Sequence, residues 1–61
     1  MKEYEVILKN GVRWVWADDY RLEKNVYVFY RREVMTWKEI EIERIEKNKV
    51  VSISEKEQSV P

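Results

Sequence analysis

The chain has 61 residues and a mass of 7.6 kDa, contains neither cysteine nor histidine, and balances twelve basic against twelve acidic side chains. This excludes disulfides, thiol nucleophiles, thiolate or imidazole metal sites and the commonest general base, and it removes the whole-chain positive field that drives nonspecific nucleic-acid binding. A folded chain of this size buries only about 60% of the surface its unfolded form exposes, so its single core is marginal and gains from association.

From Met1 to Lys9 charged and apolar residues alternate, where a signal peptide needs an unbroken apolar stretch. No run approaches membrane-spanning length, so a soluble, cytoplasmic protein is expected. Tyr4, Val6 and Leu8 alternate up to Asn10-Gly11, and Val12, Arg13, Trp14, Val15 and Trp16 follow. The pattern predicts a β-hairpin over 3–17 with Asn10-Gly11 as a two-residue turn, because both central positions of a type I′ turn need positive φ. Asp18-Asp19 and Glu23-Lys24-Asn25 are breaks around a short connecting strand, Tyr20 to Leu22. Val26 to Arg31 is a strand apolar on both faces. Val34 to Glu43 ends with Glu39, Ile40, Glu41, Ile42 and Glu43 in alternation and reads as a strand with one wet face. A helix over 37–47 is the rival reading. Lys47-Asn48-Lys49 is a turn and Val50 to Ser54 a last strand. Residues 1–54 thus form one small β domain, with 55–61 a polar C-terminal tail expected to fray.

Five short antiparallel strands do not stay flat and stable in water, so a small open barrel, SH3-like in architecture, is expected, with a strongly bent sheet that dimerises as the alternative. A turn at Asn10-Gly11 pairs Lys9 with Val12, Ile7 with Trp14 and Glu5 with Trp16. Tyr4, Val6, Leu8, Val15 and Ala17 then form the core face, while Ile7, Trp14 and Trp16 lie on the other. Met35 and Trp37 share the parity opposite to Val34, Ile40 and Ile42. Ile7, Trp14, Trp16, Met35 and Trp37, joined by Tyr27 or Phe29, are therefore candidates for a second apolar surface that meets another molecule, a second copy being the simplest partner. The bland alternative is that a strongly bent barrel buries both faces of the hairpin.

Carboxylates gather only at Asp18-Asp19 near Glu23 and in the row Glu39, Glu41, Glu43, and neither place offers the cleft that a general acid and base pair needs. The row reads as a solvated strand face that discourages edge pairing. With one glycine in the chain there is no phosphate-cradling loop, and no serine, histidine and aspartate set exists. Neither enzymatic activity nor a cofactor is expected. Arg13, Arg31, Arg32 and Tyr27, interleaved with Trp14, form the mixture that stacks bases and tracks phosphates, and residues 9–32 hold six basic against three acidic side chains. A weak single-stranded nucleic-acid binder is therefore the second functional class. A small accessory or inhibitor protein of a phage or mobile element fits the same size and lack of chemistry. The predominance of Glu, Lys and Arg leans toward proteins of hot environments.

Overall fold

The computed structural model describes residues 1–56, which carry six strands and no α-helix. They are β1 (Lys2–Leu8), β2 (Gly11–Ala17), β3 (Asp19–Glu23), β4 (Val26–Arg32), β5 (Glu39–Glu46) and β6 (Val50–Lys56), with a 3₁₀ turn at Lys47–Lys49 before β6. They form two three-stranded antiparallel sheets, in the orders β2-β1-β6 and β3-β4-β5. The expected mainly β fold is present, with one correction in the strand count: the residues 20–22 segment widens into a full edge strand, giving six strands rather than five, and they form two three-stranded sheets and not a closed barrel. β6 continues to Lys56, pairing Glu55 with Tyr4 and Lys56 with Glu3, so these two residues belong to the sheet and not to the expected tail; residues 57–61 lie outside the described residues.

The opening hairpin forms, but in a different register from the expected one. Leu8 faces Gly11, so Lys9-Asn10 make the turn, and Tyr4 lies opposite Val15 and Glu5 opposite Trp14. The slip is two residues along β2. Because side chains alternate with a period of two, an even slip leaves every residue on its expected face. The displaced turn takes Lys9 out of the β1–β2 ladder, and its N–H donates to the Lys49 carbonyl at 3.0 Å.

One residue, Asp18, separates β2 from β3, so the chain crosses between sheets at a corner rather than through a loop. The Asp18 N–H donates to the Tyr30 carbonyl at 2.9 Å, and its Oδ2 accepts from the Arg32 N–H at 2.7 Å. The core lies between the sheets: Tyr4, Val6, Val15 and Ala17 from one, Phe29 and Ile45 from the other, with Leu8, Tyr20, Tyr27, Val50 and Ile53 packed against them. Tyr20 links the layers, with its ring 5.3 Å from those of both Tyr4 and Phe29 and 6.0 Å from that of Tyr27. Tyr27 and Phe29, considered above for a second surface, therefore belong to the core.

β4 is buried on its other face too. Val28 and Tyr30 are buried there, with the Arg21 guanidinium 4.8 Å and that of Arg32 5.6 Å from the Tyr30 ring centre. Arg21 is held there by ion pairs to Glu23 and Glu39. Long charged stems can cover apolar surface in this way while their heads stay in water.

Burial pushes the Tyr4 hydroxyl up to about 12, with Asp19 and Glu55 adding to the shift. The protonated form is thus favoured in the native state. Between the ordinary tyrosine pKa near 10 and the raised value, the unfolded chain releases a proton that the folded one keeps, so stability falls as pH rises through this window, by on the order of 2 kcal/mol. Urea unfolding between pH 9 and pH 12 checks this, with Tyr4→Phe as the control whose stability should decline less.

Candidate interaction surface

The outer face of the first sheet is built by the alternation of β1 and β2. With Tyr4, Val6, Val15 and Ala17 turned inward, the register leaves Ile7 beside Val12, Glu5 beside Trp14 and Glu3 beside Trp16 on the opposite side. Val12, Trp14 and Trp16 are 53%, 51% and 41% exposed and run as one stripe along an edge strand. Ile7 is half-buried next to them. On the far side of the stripe the face turns polar, with Ser52, Ser54 and Lys56 of β6 and a Lys56–Glu5 ion pair at 3.7 Å. Ile7, Trp14 and Trp16 are thus brought together. Val12, which continues the stripe, was missed, although its parity with Trp14 was readable in the sequence.

Met35 and Trp37 do not join this strand array. The expected strand over 34–43 is corrected: β4 ends at Arg32, residues 33–38 form a hairpin loop, and β5 starts at Glu39; the rival helix over 37–47 does not form. The Glu33 N–H donates to the Lys38 carbonyl at 2.9 Å, and the Trp37 N–H donates to the Glu33 carbonyl at 2.8 Å. Closing the loop this way requires a left-handed residue, and Trp37 supplies it at φ +60° while standing 77% exposed, beside exposed Val34 and Met35. A bulky side chain in that region costs about 1–2 kcal/mol and is an uncommon choice where glycine or asparagine would serve. Trp37→Gly is therefore expected to be more stable than Trp37→Ala by about 1 kcal/mol, against the usual ranking of these residues in strands. Thermal unfolding of the two variants checks it; an alanine variant as stable as the glycine one would remove the strain.

The arginine and tyrosine set is dispersed. Arg13 points toward the second sheet and ion-pairs with Glu43, Tyr27 packs on Tyr20, and Arg32 lies over Tyr30. Arg31 pairs with Ile40 across β4 and β5 and makes no ion pair among the described residues. None of the four lies on the face that carries Trp14. The Glu39, Glu41, Glu43 row is also broken, because a register shift between Phe29 and Tyr30 sets Glu43 opposite Phe29 and Glu41 opposite Tyr30, leaving Ile42 as the extra residue. Glu43 thereby turns inward to meet Arg13, while Glu41 holds Arg44 at 2.8 Å and pushes its guanidinium pKa up.

Asp18 donates and accepts hydrogen bonds at the corner as described, and among the described residues no group of three or more acidic side chains is placed to hold a metal ion. An open cleft at the turn end of the molecule is lined by Lys9, Asn25, Val26, Glu46, Lys47 and Val50 among others, with Glu46 its one carboxylate. No helix among the described residues is long and apolar enough to cross a membrane. In comparisons with known proteins, no family model, curated protein or solved structure matches this chain.

Proposed function

We propose that this chain is a non-catalytic protein-interaction module that associates with a second copy of itself through the tryptophan-bearing face of the β2-β1-β6 sheet. The observation that carries the reading is the division of labour among its aromatic residues. Tyrosine and phenylalanine fill the core, while all three tryptophans face solvent. Tryptophan is enriched among the residues that dominate binding energy at interfaces, and an apolar stripe flanked by charged and polar side chains is the composition of an interface centre with its rim. The exposed Val34, Met35 and Trp37 loop offers a second apolar point, and the strain at Trp37 supports a role beyond folding. Self-association also relieves the marginal core of so short a chain.

The test is the solution mass over a range of concentrations with tryptophan emission recorded on the same samples. A mass that doubles with concentration while the emission shifts to the blue is the expected result. A monomer whose emission stays red-shifted throughout would leave the surface to a foreign partner. Quenching by short oligonucleotides that weakens with salt would favour the single-strand binder instead.

A further inference from the structure

The two sheets have four edges, and three of them are guarded. β3 carries Asp19, Arg21 and Glu23, and β5 carries Glu39, Glu41, Glu43, Arg44 and Glu46 together with a bulge. β6 begins with a register irregularity and ends in Glu55 and Lys56. Charges and bulges of this kind are what keep an edge strand from pairing with another chain. β2 is guarded least: its pairing with β1 is regular over seven residues, it contains no proline, and its single charge, Arg13, is already paired with Glu43 of the same chain.

The backbone of β2 has a defined open side. Leu8 and Gly11 close the two-residue turn, and hydrogen-bonded and non-hydrogen-bonded pairs alternate from there. Gly11, Arg13, Val15 and Ala17 thus turn their backbone groups to β1, and Val12, Trp14 and Trp16 turn theirs to the open edge. The residues with outward backbone groups are the same three whose side chains form the exposed stripe.

We infer that the partner of this edge is β2 of a second copy, paired antiparallel about a two-fold axis at Trp14. In this register the strand overlaps its copy along its whole length, Gly11 against Ala17 of the partner, and the outward groups of both strands meet. On the exposed face Trp14 lies opposite its own counterpart and Val12 opposite the partner's Trp16, aromatic and aromatic–aliphatic pairs of the kind that stabilise sheets. On the inner face Arg13 lies opposite the partner's Val15. No like charges face each other anywhere along the seam, so the strand is electrostatically compatible with itself. The result is a single six-stranded sheet running through the dimer. This inference rests on self-association through the tryptophan-bearing sheet and places the contact at the β2 edge, where the residues of the stripe meet across the seam.

Amide hydrogen exchange followed by NMR on the unmodified protein, at low and high concentration, tests it, alongside Val12→Pro, which removes an outward N–H that the monomer ladder does not use. The expected result is exchange at Val12 and Trp14 slowed at least about tenfold at high concentration, and a Val12→Pro protein that keeps its β-sheet circular dichroism but stays monomeric. A dimer whose Val12 and Trp14 amides exchange as fast as in the monomer would overturn edge pairing while leaving association through the tryptophan face intact. A monomer at every concentration would overturn both. Should the proline variant fail to fold, the exchange data on the unmodified protein still decide.

Discussion

Phe29→Ala is expected to leave the domain largely unfolded at room temperature. Phe29 is fully buried at the centre of β4, and its ring lies 5.6 Å from Tyr4 of the opposite sheet and 5.3 Å from Tyr20 of its own. Removing a buried phenylalanine ring costs about 3–5 kcal/mol, because the lost transfer energy is joined by the penalty of a cavity that the surroundings only partly fill. A single core in a domain of this length rarely supplies more than about 3–5 kcal/mol, so the loss consumes most or all of it. The aromatic cluster cannot collapse readily, since Tyr20 is held by its strand pairing and contacts both Tyr4 and Tyr27. Circular dichroism with urea titration reads the effect, and Phe29→Leu, which keeps much of the volume, should lose less than half as much. Cooperative unfolding of the alanine variant at nearly the unmodified midpoint would show that the two sheets do not depend on this contact.

The largest effect on association is expected from Trp14→Ala, at 2 kcal/mol or more, a weakening of the dimer by about thirtyfold or more. The monomer should hardly notice. Half of the Trp14 surface already faces water, and its neighbour across the ladder, Glu5, has an ion pair of its own with Lys56. Sedimentation gives the dissociation constant, and unfolding at a concentration where the protein is monomeric gives the stability. Trp16→Ala should likewise weaken the dimer while leaving the monomer folded. Equal losses in the two measurements would place the tryptophan among the groups that hold the fold, and the interface would have to be sought at the Val34, Met35 and Trp37 loop.

These two residues show how unevenly structure can be read from the chain. The burial of Tyr4, Val6, Val15 and Ala17 and the placing of Trp14 and Trp16 on the opposite face followed from alternation alone, and they survived a turn placed one residue too late; that this opposite face is exposed came from the tertiary structure. A hairpin slip by an even number of residues moves partners but never faces. The same logic failed for Glu39, Glu41 and Glu43, since a single extra residue at Ile42 reverses every face beyond it. Nothing local marks that bulge. It lets Glu43 reach Arg13 on the other sheet, an interaction between positions thirty residues apart.

The loop over 33–38 was illegible for a related reason. Val34, Thr36 and Trp37 are strand-forming residues by propensity, and only the closure of the loop between Glu33 and Lys38 places Trp37 at positive φ. The corner at Asp18 likewise looked like an ordinary turn, yet its carboxylate and N–H join β2 to β4 and send the chain into a second sheet.

The sequence by itself determined that this protein is mainly β, which side of each opening strand is apolar, and that disulfides and histidine chemistry are absent. Those properties depend on residue identity and on the period of the pleat, which are local. Only the tertiary structure decided that six strands divide into two open sheets, that Tyr27 and Phe29 are core while the three tryptophans face solvent, and that β2 is left as the least guarded edge. Each of these depends on which distant strands pair and where a ladder is interrupted, and those choices are made by the packing of the whole chain rather than by any segment of it.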